Sequence, residues 1–283
     1  MLQGDAILFK DIVVNLGAGK SGKIVGDYAI SIASRLEAHI TGIAIAFVPD
    51  IQRAGTAFLS VEKIEALQRD NEAATETIVE WFAAATASAG VLAEKRILHA
   101  NMSNAADQFG RIARRFDLAI VGQVEPDGSP VQATVCESTL FESGRPMIIV
   151  PYVQTAPLKL DRIMVCWDGS RPAARAIADA MPFLKRAKNI EVVSVTSERG
   201  KQHEIEGADM GHHLAHHGLK VEVTRIMRGE LDVEDVLLSH AADSGADFMI
   251  MGGYGHSRLR EFVLGGVTRS ILRTMTVPTL MSH

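Results

Sequence analysis

A glycine-rich segment near the end of the chain carries the clearest chemical signal in the sequence. It opens as Gly252-Gly-Tyr-Gly255 after an apolar run, and Gly265-Gly-Val-Thr268 then leads into a helical pattern. Glycines let the backbone turn sharply and approach a ligand without interference from a Cβ atom. Amides at the start of a helix favour an anion. The segment therefore predicts a phosphate-binding loop, although each single glycine could equally serve an ordinary strand-to-helix turn.

Two other segments resemble ligand-binding motifs, but each lacks an essential part. Residues 17–24 read Gly-Ala-Gly-Lys-Ser-Gly-Lys-Ile and fit Gly-x4-Gly-Lys, yet Ile24 stands where a phosphate loop carries the hydroxyl for magnesium. Residues 212–217 contain two histidine pairs four apart, without a third ligand or a Glu nearby. We interpret the first as a lysine-bearing turn and the second as a solvated helix face. No nucleophile-and-base set stands out on strand ends.

The elements that must position these residues repeat twice along the chain. Asp11-Ile-Val-Val-Asn-Leu16 and Arg162-Ile-Met-Val-Cys-Trp167 open the two halves, and each half later has an apolar run after an Asp, at Asp117 and Asp247. The apolar runs are too continuous for a sheet with one wet face, and they alternate with helical patterns. This predicts an α/β protein of two tandem doubly wound domains, residues 1–154 and 160–283. Each domain is expected to be a five-stranded parallel sheet flanked by four helices.

The predicted strands follow the apolar runs, and the additional residues of the first half fall in a helical stretch around 61–89. In the first half the strands are expected at 12–16, 40–48, 92–98, 118–122 and 147–152. In the second half they are expected at 163–167, 190–196, 221–227, 248–252 and 279–281. Such folds bind ligands beyond the carboxyl ends of strands, where the strand order reverses.

Composition excludes several classes of function. The chain of 283 residues has 29 basic and 34 acidic side chains, a net charge of −5, which argues against nucleic acid as its principal partner. Cys136 and Cys166 are far apart and form neither a disulfide framework nor a thiolate metal site, so a reducing cytoplasm is expected. No apolar run reaches about 18 residues, and we expect no membrane span and no export.

Gly252, Gly255 and Gly265 reproduce the spacing Gly-x2-Gly-x9-Gly, by which the sequence resembles nucleotide-binding members of the universal stress protein family in a tandem two-domain form. The resemblance implies an adenine nucleotide alpha hydrolase-like fold that binds ATP, ADP or AMP in the C-terminal half, with magnesium expected beside a triphosphate. Gly266 departs from the family, which often has Ser there. The change removes a hydroxyl that would touch phosphate but keeps the amide.

The same resemblance assigns roles to further residues of this half. Asp168 matches an acid near the ribose, although an Asp at a helix start is also a common N-cap. The backbone of Val195 matches the position that meets adenine. His256 could neutralise phosphate or be an exposed charge. The residues implied to contact the nucleotide are Trp167, Asp168, Val195, Met251, Gly252, Gly255, His256, Gly265, Gly266, Val267 and Thr268.

The first half departs from the family pattern in both loops. Gly17 replaces the Asp, and Glu125 and Asp127 follow the fourth strand where phosphate-binding amides are expected. An acid beside a triphosphate costs on the order of 1 kcal/mol or more per close pair. We therefore expect this half to be a degenerate copy that does not bind nucleotide.

The resulting functional prediction is a cytoplasmic stress-response regulator that binds an adenine nucleotide and is at most a slow ATPase. One alternative is a protein-interaction module that needs no nucleotide. By resemblance, the last strands of the two halves, at 147–152 and 279–281, are expected to pair edge to edge in an intramolecular pseudo-dimer. Whether two chains associate into a homodimer stays open. A true hydrolase would lose turnover on changing Asp168 or His256.

Overall fold

The computed structural model describes residues 9–17, 19–48, 61–125, 130–196, 207–253 and 266–283. The chain divides into two compact units, with the boundary between Pro157 and Leu158. Among the described helices, none combines the length and the apolar character needed to span a bilayer.

The N-terminal unit is a parallel sheet in the order β3-β2-β1-β4-β5, with helices in the connections. Its elements are β1 (Asp11–Leu16), α1 (Gly19–Leu36), β2 (His39–Phe47), α2 (Val61–Ser88), β3 (Ala93–Ala100), α3 (Ala105–Ala113), β4 (Leu118–Gly122), α4 (Pro130–Glu142) and β5 (Met147–Val150).

The C-terminal unit repeats this order as β8-β7-β6-β9-β10, again with all pairs parallel. Its elements are β6 (Arg162–Cys166), α5 (Arg171–Asp179), α6 (Met181–Leu184), β7 (Asn189–Thr196), α7 (Ala208–His216), β8 (Val221–Met227), α8 (Val233–Ser244), β9 (Phe248–Gly252), α9 (Gly266–Thr274) and β10 (Thr279–Ser282).

The structure confirms the predicted α/β class with two tandem parallel sheets, and the ten predicted strands lie within two residues of the observed ones. The helix count differs in the C-terminal unit, because the first helical stretch is divided into α5 and α6. Pro182 stands at the start of α6, where its missing N–H is tolerated; inside a continuous helix it would break the hydrogen-bond ladder. The strand β5 also ends earlier than predicted, at Val150, directly before Pro151.

The prediction of fully buried strands was wrong for β3 and β8. The first four residues of β3, Ala93–Arg96, are exposed, and β8 is mostly half-exposed. These strands lie at one end of each strand order, where a strand has a neighbour on one side only. The strands β1, β4, β5, β6, β9 and β10 are buried almost throughout.

The repeated Asp in front of the fourth strand of each unit has a structural role. Asp117 Oδ2 accepts hydrogen bonds from the backbone N–H groups of Lys10 (2.8 Å) and Asp11 (3.0 Å). Asp247 accepts from the N–H groups of Asp161 (3.0 Å) and Arg162 (3.3 Å) in the same way. Each carboxylate thus ties the start of the central strand to its neighbour, at the edge opposite the carboxyl ends.

A charged cluster lies inside the C-terminal unit, around Glu191 of β7, which is 5% exposed. Its carboxylate accepts hydrogen bonds from Thr224 Oγ1 (2.6 Å) and Arg162 Nη1 (3.2 Å) and contacts His240 Nε2 at 2.9 Å. Burial alone would raise the pKa of Glu191, but the hydrogen bonds of Thr224 and His240 and the charges of His240 and Arg162 outweigh it and lower the pKa. The cluster joins β6, β7, β8 and α8.

The Asp117→Ala variant is expected to lower the free energy of unfolding by about 2 kcal/mol, because it removes an ionised acceptor from two backbone N–H groups. Asp107→Ala is the matched control, since Asp107 forms only an exposed pair with Arg111 at 3.0 Å and should cost at most about 0.5 kcal/mol. Urea unfolding of the full chain measures both. Equal effects of the two substitutions would contradict the role given to Asp117.

The lowered pKa of Glu191 predicts an acid-sensitive C-terminal unit. A carboxylate with a depressed folded pKa stabilises the fold above its unfolded pKa of about 4.3, and this stability is lost as the pH falls through the folded pKa. Glu191→Gln should therefore destabilise the protein by about 2 kcal/mol at neutral pH and flatten the decline below about pH 5. Glu222→Gln, at an exposed neighbouring position, should do neither. Unchanged acid sensitivity in Glu191→Gln would refute this assignment.

Candidate functional site

The strand order of the C-terminal unit reverses between β6 and β9. The chain runs from β6 through β7 to β8 on one side and then returns to β9 and β10 on the other. Val165 pairs with Ile250, so the residues that follow β6 and β9 emerge side by side. Trp167, Asp168 and Gly252 therefore share one edge of the sheet, at the position where doubly wound folds bind ligands.

Asp168 is exposed, and a local turn holds its side chain. Its Oδ1 accepts a hydrogen bond from the N–H of Ser170 at 2.9 Å, and Gly169 between them has φ +73°, a region that favours glycine. Ser170 is the N-cap of α5, because its Oγ accepts from the N–H of Ala173 at 3.2 Å. Asp168 is therefore not the N-cap of α5, the structural role that the sequence also allowed for it, because Ser170 occupies that position.

Gly252 is required by packing, whatever it binds. A Cβ atom at Gly252 would lie 2.4 Å from the backbone nitrogen of Ala173 and 2.7 Å from the carbonyl carbon of Pro172. The end of β9 and the first turn of α5 therefore approach more closely than a side chain allows. At Gly266 the situation is the opposite, because a Cβ there would meet none of the described residues within 4 Å.

The described part of α9 begins at Gly266. Gly266 is exposed, Val267 is half-buried and Thr268 is 4% exposed. The first N–H groups of a helix have no partner within the helix, and the helix dipole makes this end electropositive. None of the described residues fills the space beside Gly266 at this end of the helix.

The remaining predicted residues divide into those near this edge and those beyond the described residues. Met251 is buried in β9 at 5% exposure. Val195 is half-buried near the end of β7, and the N–H of Trp167 donates to the carbonyl of Val193 at 2.8 Å, so β6 and β7 stay paired up to this edge. Gly255, His256 and Gly265 lie outside the described residues.

The described residues show no metal or thiol chemistry at this edge. Burial, together with nearby Glu137 and Asp168 respectively, raises the pKa of the Cys136 and Cys166 thiols to about 12, so neither is a thiolate at neutral pH. The histidines at 212, 213, 216 and 217 are all exposed. Within the described part of the chain, no three His, Cys, Asp or Glu side chains gather in a way that could hold a metal ion.

The N-terminal unit has a cavity of about 310 Å³ at its own reversal, beyond the carboxyl ends of β1 and β4. Asn15, Gln123 and Asn71 line it. Sequence reasoning missed these residues because neutral amides at such positions form no motif, and the only hint was a polar Asn15 inside an apolar run.

Outside the cavity, the Lys23 ammonium lies 5.8 Å from the ring centroid of Trp81.

Gly22 also has a packing role that explains part of the glycine pattern in residues 17–24. A Cβ at Gly22 would lie 1.7 Å from the carbonyl oxygen of Gly17, so the start of α1 passes directly over the end of β1. Neither Lys20 nor Lys23 is among the described residues that line the cavity. The geometry favours a structural turn over a phosphate loop.

Comparisons with known proteins find a family match for the C-terminal unit. Residues 159–283 match the family model "Universal stress protein family", and the C-terminal unit is thus a universal stress protein domain. A 63-residue stretch is 33% identical to the universal stress protein Slr1230 of Synechocystis sp. and covers 22% of this chain. The match spans about a fifth of that relative, 21% of its length.

Solved structures show the same fold over both units. A universal stress protein from Archaeoglobus fulgidus is similar at a TM-score of 0.71 with 18% identity, covering 95% of this chain and 97% of that one. A protein of unknown function from Pseudomonas aeruginosa is similar at 0.61 with 14% identity, covering 96% and 92%. The predicted α/β fold is confirmed over both units, and the family model matches the C-terminal unit.

The different surroundings of Gly252 and Gly266 give a testable pair of substitutions. Gly252→Ala should lower the free energy of unfolding by about 1–3 kcal/mol, because its methyl group would overlap the backbone of α5. Gly266→Ala should change it by no more than about 0.5 kcal/mol, since the new methyl group meets open space. Urea unfolding provides the comparison. A Gly252→Ala protein as stable as Gly266→Ala would show that α5 does not pack as described.

Proposed function

We propose that the C-terminal unit binds an adenine nucleotide, ATP or a close relative, and that the protein is a nucleotide-responsive regulator of the stress response. The observation that carries the proposal is the pairing of β6 with β9. It sets an exposed carboxylate, Asp168, beside β9, the strand that precedes α9 and its first described residue Gly266 along the chain. A carboxylate suits ribose hydroxyls, and a helix N-terminus suits phosphate.

The arrangement of Asp168 supports a binding role. Its Oδ1 is engaged by the N–H of Ser170, which fixes the direction of the carboxylate before any ligand arrives. A sugar hydroxyl can then donate to a carboxylate whose orientation has already been set, so less ordering is needed on binding. Phosphate oxygens would accept from the first amides of α9, and magnesium would accompany a triphosphate.

We propose binding rather than rapid turnover. The described residues at this edge offer backbone N–H groups, one carboxylate and the partly buried walls of Trp167 and Val195. Such a set can hold a nucleotide, and Asp168 carries no described base at hydrogen-bond distance that would activate water. Any hydrolysis is therefore expected to be slow.

One observation favours a second candidate, a protein-interaction module that needs no nucleotide. Gly266 lacks the hydroxyl that a Ser would offer to phosphate. Two variants at this one position separate the candidates, because a side chain at Gly266 displaces none of the described residues.

Isothermal titration of the purified full chain with Mg-ATP is expected to show binding. Gly266→Ser should raise the affinity about tenfold, as one added hydrogen bond to a charged group is worth about 1.5 kcal/mol. Gly266→Asp should lower it at least about tenfold through repulsion of the phosphates. An Asp in the first turn also favours the helix, so its thermal stability should not fall.

The outcome decides between the two candidates. Saturable ATP binding that rises with Gly266→Ser and falls with Gly266→Asp supports the nucleotide site. Absence of binding by both the wild type and Gly266→Ser at about 1 mM ATP would leave the interaction module as the function.

A further inference from the structure

We propose that the N-terminal unit has a second ligand site, selective for an uncharged molecule with an apolar body and a hydrogen-bond acceptor. The site is the cavity of about 310 Å³ beyond the carboxyl ends of β1, β2 and β4, which residues of α1, α2 and α4 also line. This volume lies at the lower end of the range of about 300–1,000 Å³ typical of small-molecule pockets. The proposal is independent of the nucleotide site in the other unit.

The side-chain amide of Gln123 provides a hydrogen-bond donor that a ligand could satisfy. Its side chain lines the cavity and the residue is 4% exposed. The N–H of Tyr152 donates to its Oε1 at 3.2 Å, which fixes the orientation of the amide, because an N–H can be satisfied only by the oxygen. The Nε2 then has no hydrogen-bond partner among the described residues, and a buried polar group left unpaired is costly. An acceptor from a ligand in the cavity would satisfy it.

Two other amides of the cavity, those of Gln132 and Asn71, form hydrogen bonds with the protein backbone. Gln132 Nε2 donates to the carbonyl of Gly122 at 2.7 Å. Asn71 Oδ1 accepts from the N–H of Phe47 at 2.7 Å, which fastens α2 to the end of β2. The walls are thus held in place while the Gln123 donor stays available, and a preformed site loses little entropy on binding.

The remaining lining decides the chemical class. Most of the wall is apolar, formed by Leu16, Val25, Ala44, Ile45, Phe47, Ile78, Val131 and Val135. The one charged side chain among the described lining residues is Glu125, and neither Lys nor Arg is among them. An anion would therefore lose its hydration without gaining a cation. The site rejects phosphate and carboxylate but accepts a neutral amide or carbonyl compound.

The test uses two pairs of small probes that differ only in charge, nicotinamide with nicotinate and benzamide with benzoate. Ligand-observed NMR on the full chain is expected to show that both amides bind, and that each acid binds at least about tenfold more weakly. In ¹⁵N-labelled protein, the side-chain NH₂ signal of Gln123 should shift with the amides. The loss of that signal in Gln123→Glu assigns it.

The variant Gln123→Glu keeps an oxygen for the N–H of Tyr152 and removes the donor from the cavity. It should weaken both amides at least about tenfold. Gln108→Glu on α3, the same chemical change away from the cavity lining, should leave them unchanged. Both variants should bind Mg-ATP like the wild type, so failure of this proposal is distinguishable from failure of the nucleotide site.

Three results would overturn the proposal. The first is that neither amide binds at about 10 mM, which would mean that water alone satisfies Gln123. The second is that the acids bind as well as the amides. The third is that Gln123→Glu retains the wild-type affinity.

Discussion

Reversal of the strand order at the central strand is the constraint from which the rest of each unit follows. The first strand of each unit, β1 or β6, lies inside the sheet. The second strand pairs with it on one side, and the fourth strand pairs with it on the other. Crossovers between parallel strands are almost always right-handed, so helices on the two sides of the reversal cover opposite faces and leave the edge between the two central strands uncovered. At the other edge, Asp117 and Asp247 hold the same strand pairs together through backbone N–H groups. A crevice between firmly paired strands is thus built into the topology of both units.

The two units fill this crevice with different chemistry at matching positions. Asp168 in the C-terminal unit corresponds to Gly17 in the N-terminal unit, at the offset of the first strands. Gln123 corresponds to Gly253, and the backbone N–H groups of these two residues donate to the carbonyls of Val150 and Ser282, both at 2.8 Å. One unit therefore presents a carboxylate and bare backbone, while the other presents a neutral side-chain amide in an apolar cavity.

Much of the fold could be predicted from the sequence, because buried parallel strands leave continuous apolar runs that helices do not interrupt. Those runs predicted the strand bounds within two residues. They did not predict that the first C-terminal helix is divided at Pro182, which has no N–H for the hydrogen-bond ladder of a continuous helix. The exposed faces of β3 and β8 follow from their place at the ends of the strand order, which single apolar runs do not reveal. The motif pointed to the edge shared by Asp168 and Gly252. The cavity around Gln123 could not be predicted from the sequence. The Nε2 donor of Gln123 is left without a described partner only because the backbone N–H of Tyr152 binds the side-chain oxygen, and this contact requires the folded structure.

The close approach of β9 to α5 changes what the glycine motif can tell about relatives of this protein. Since the fold itself demands Gly252, a descendant that no longer recognised any nucleotide would still be under pressure to keep this residue. The described fold does not require a particular residue at position 266 or a carboxylate at position 168. Both residues can therefore change in a protein that no longer binds the ligand. A survey that scores family members by their first glycine would therefore count inactive copies as active. The residues at positions 168 and 266 are therefore better indicators of nucleotide binding than Gly252.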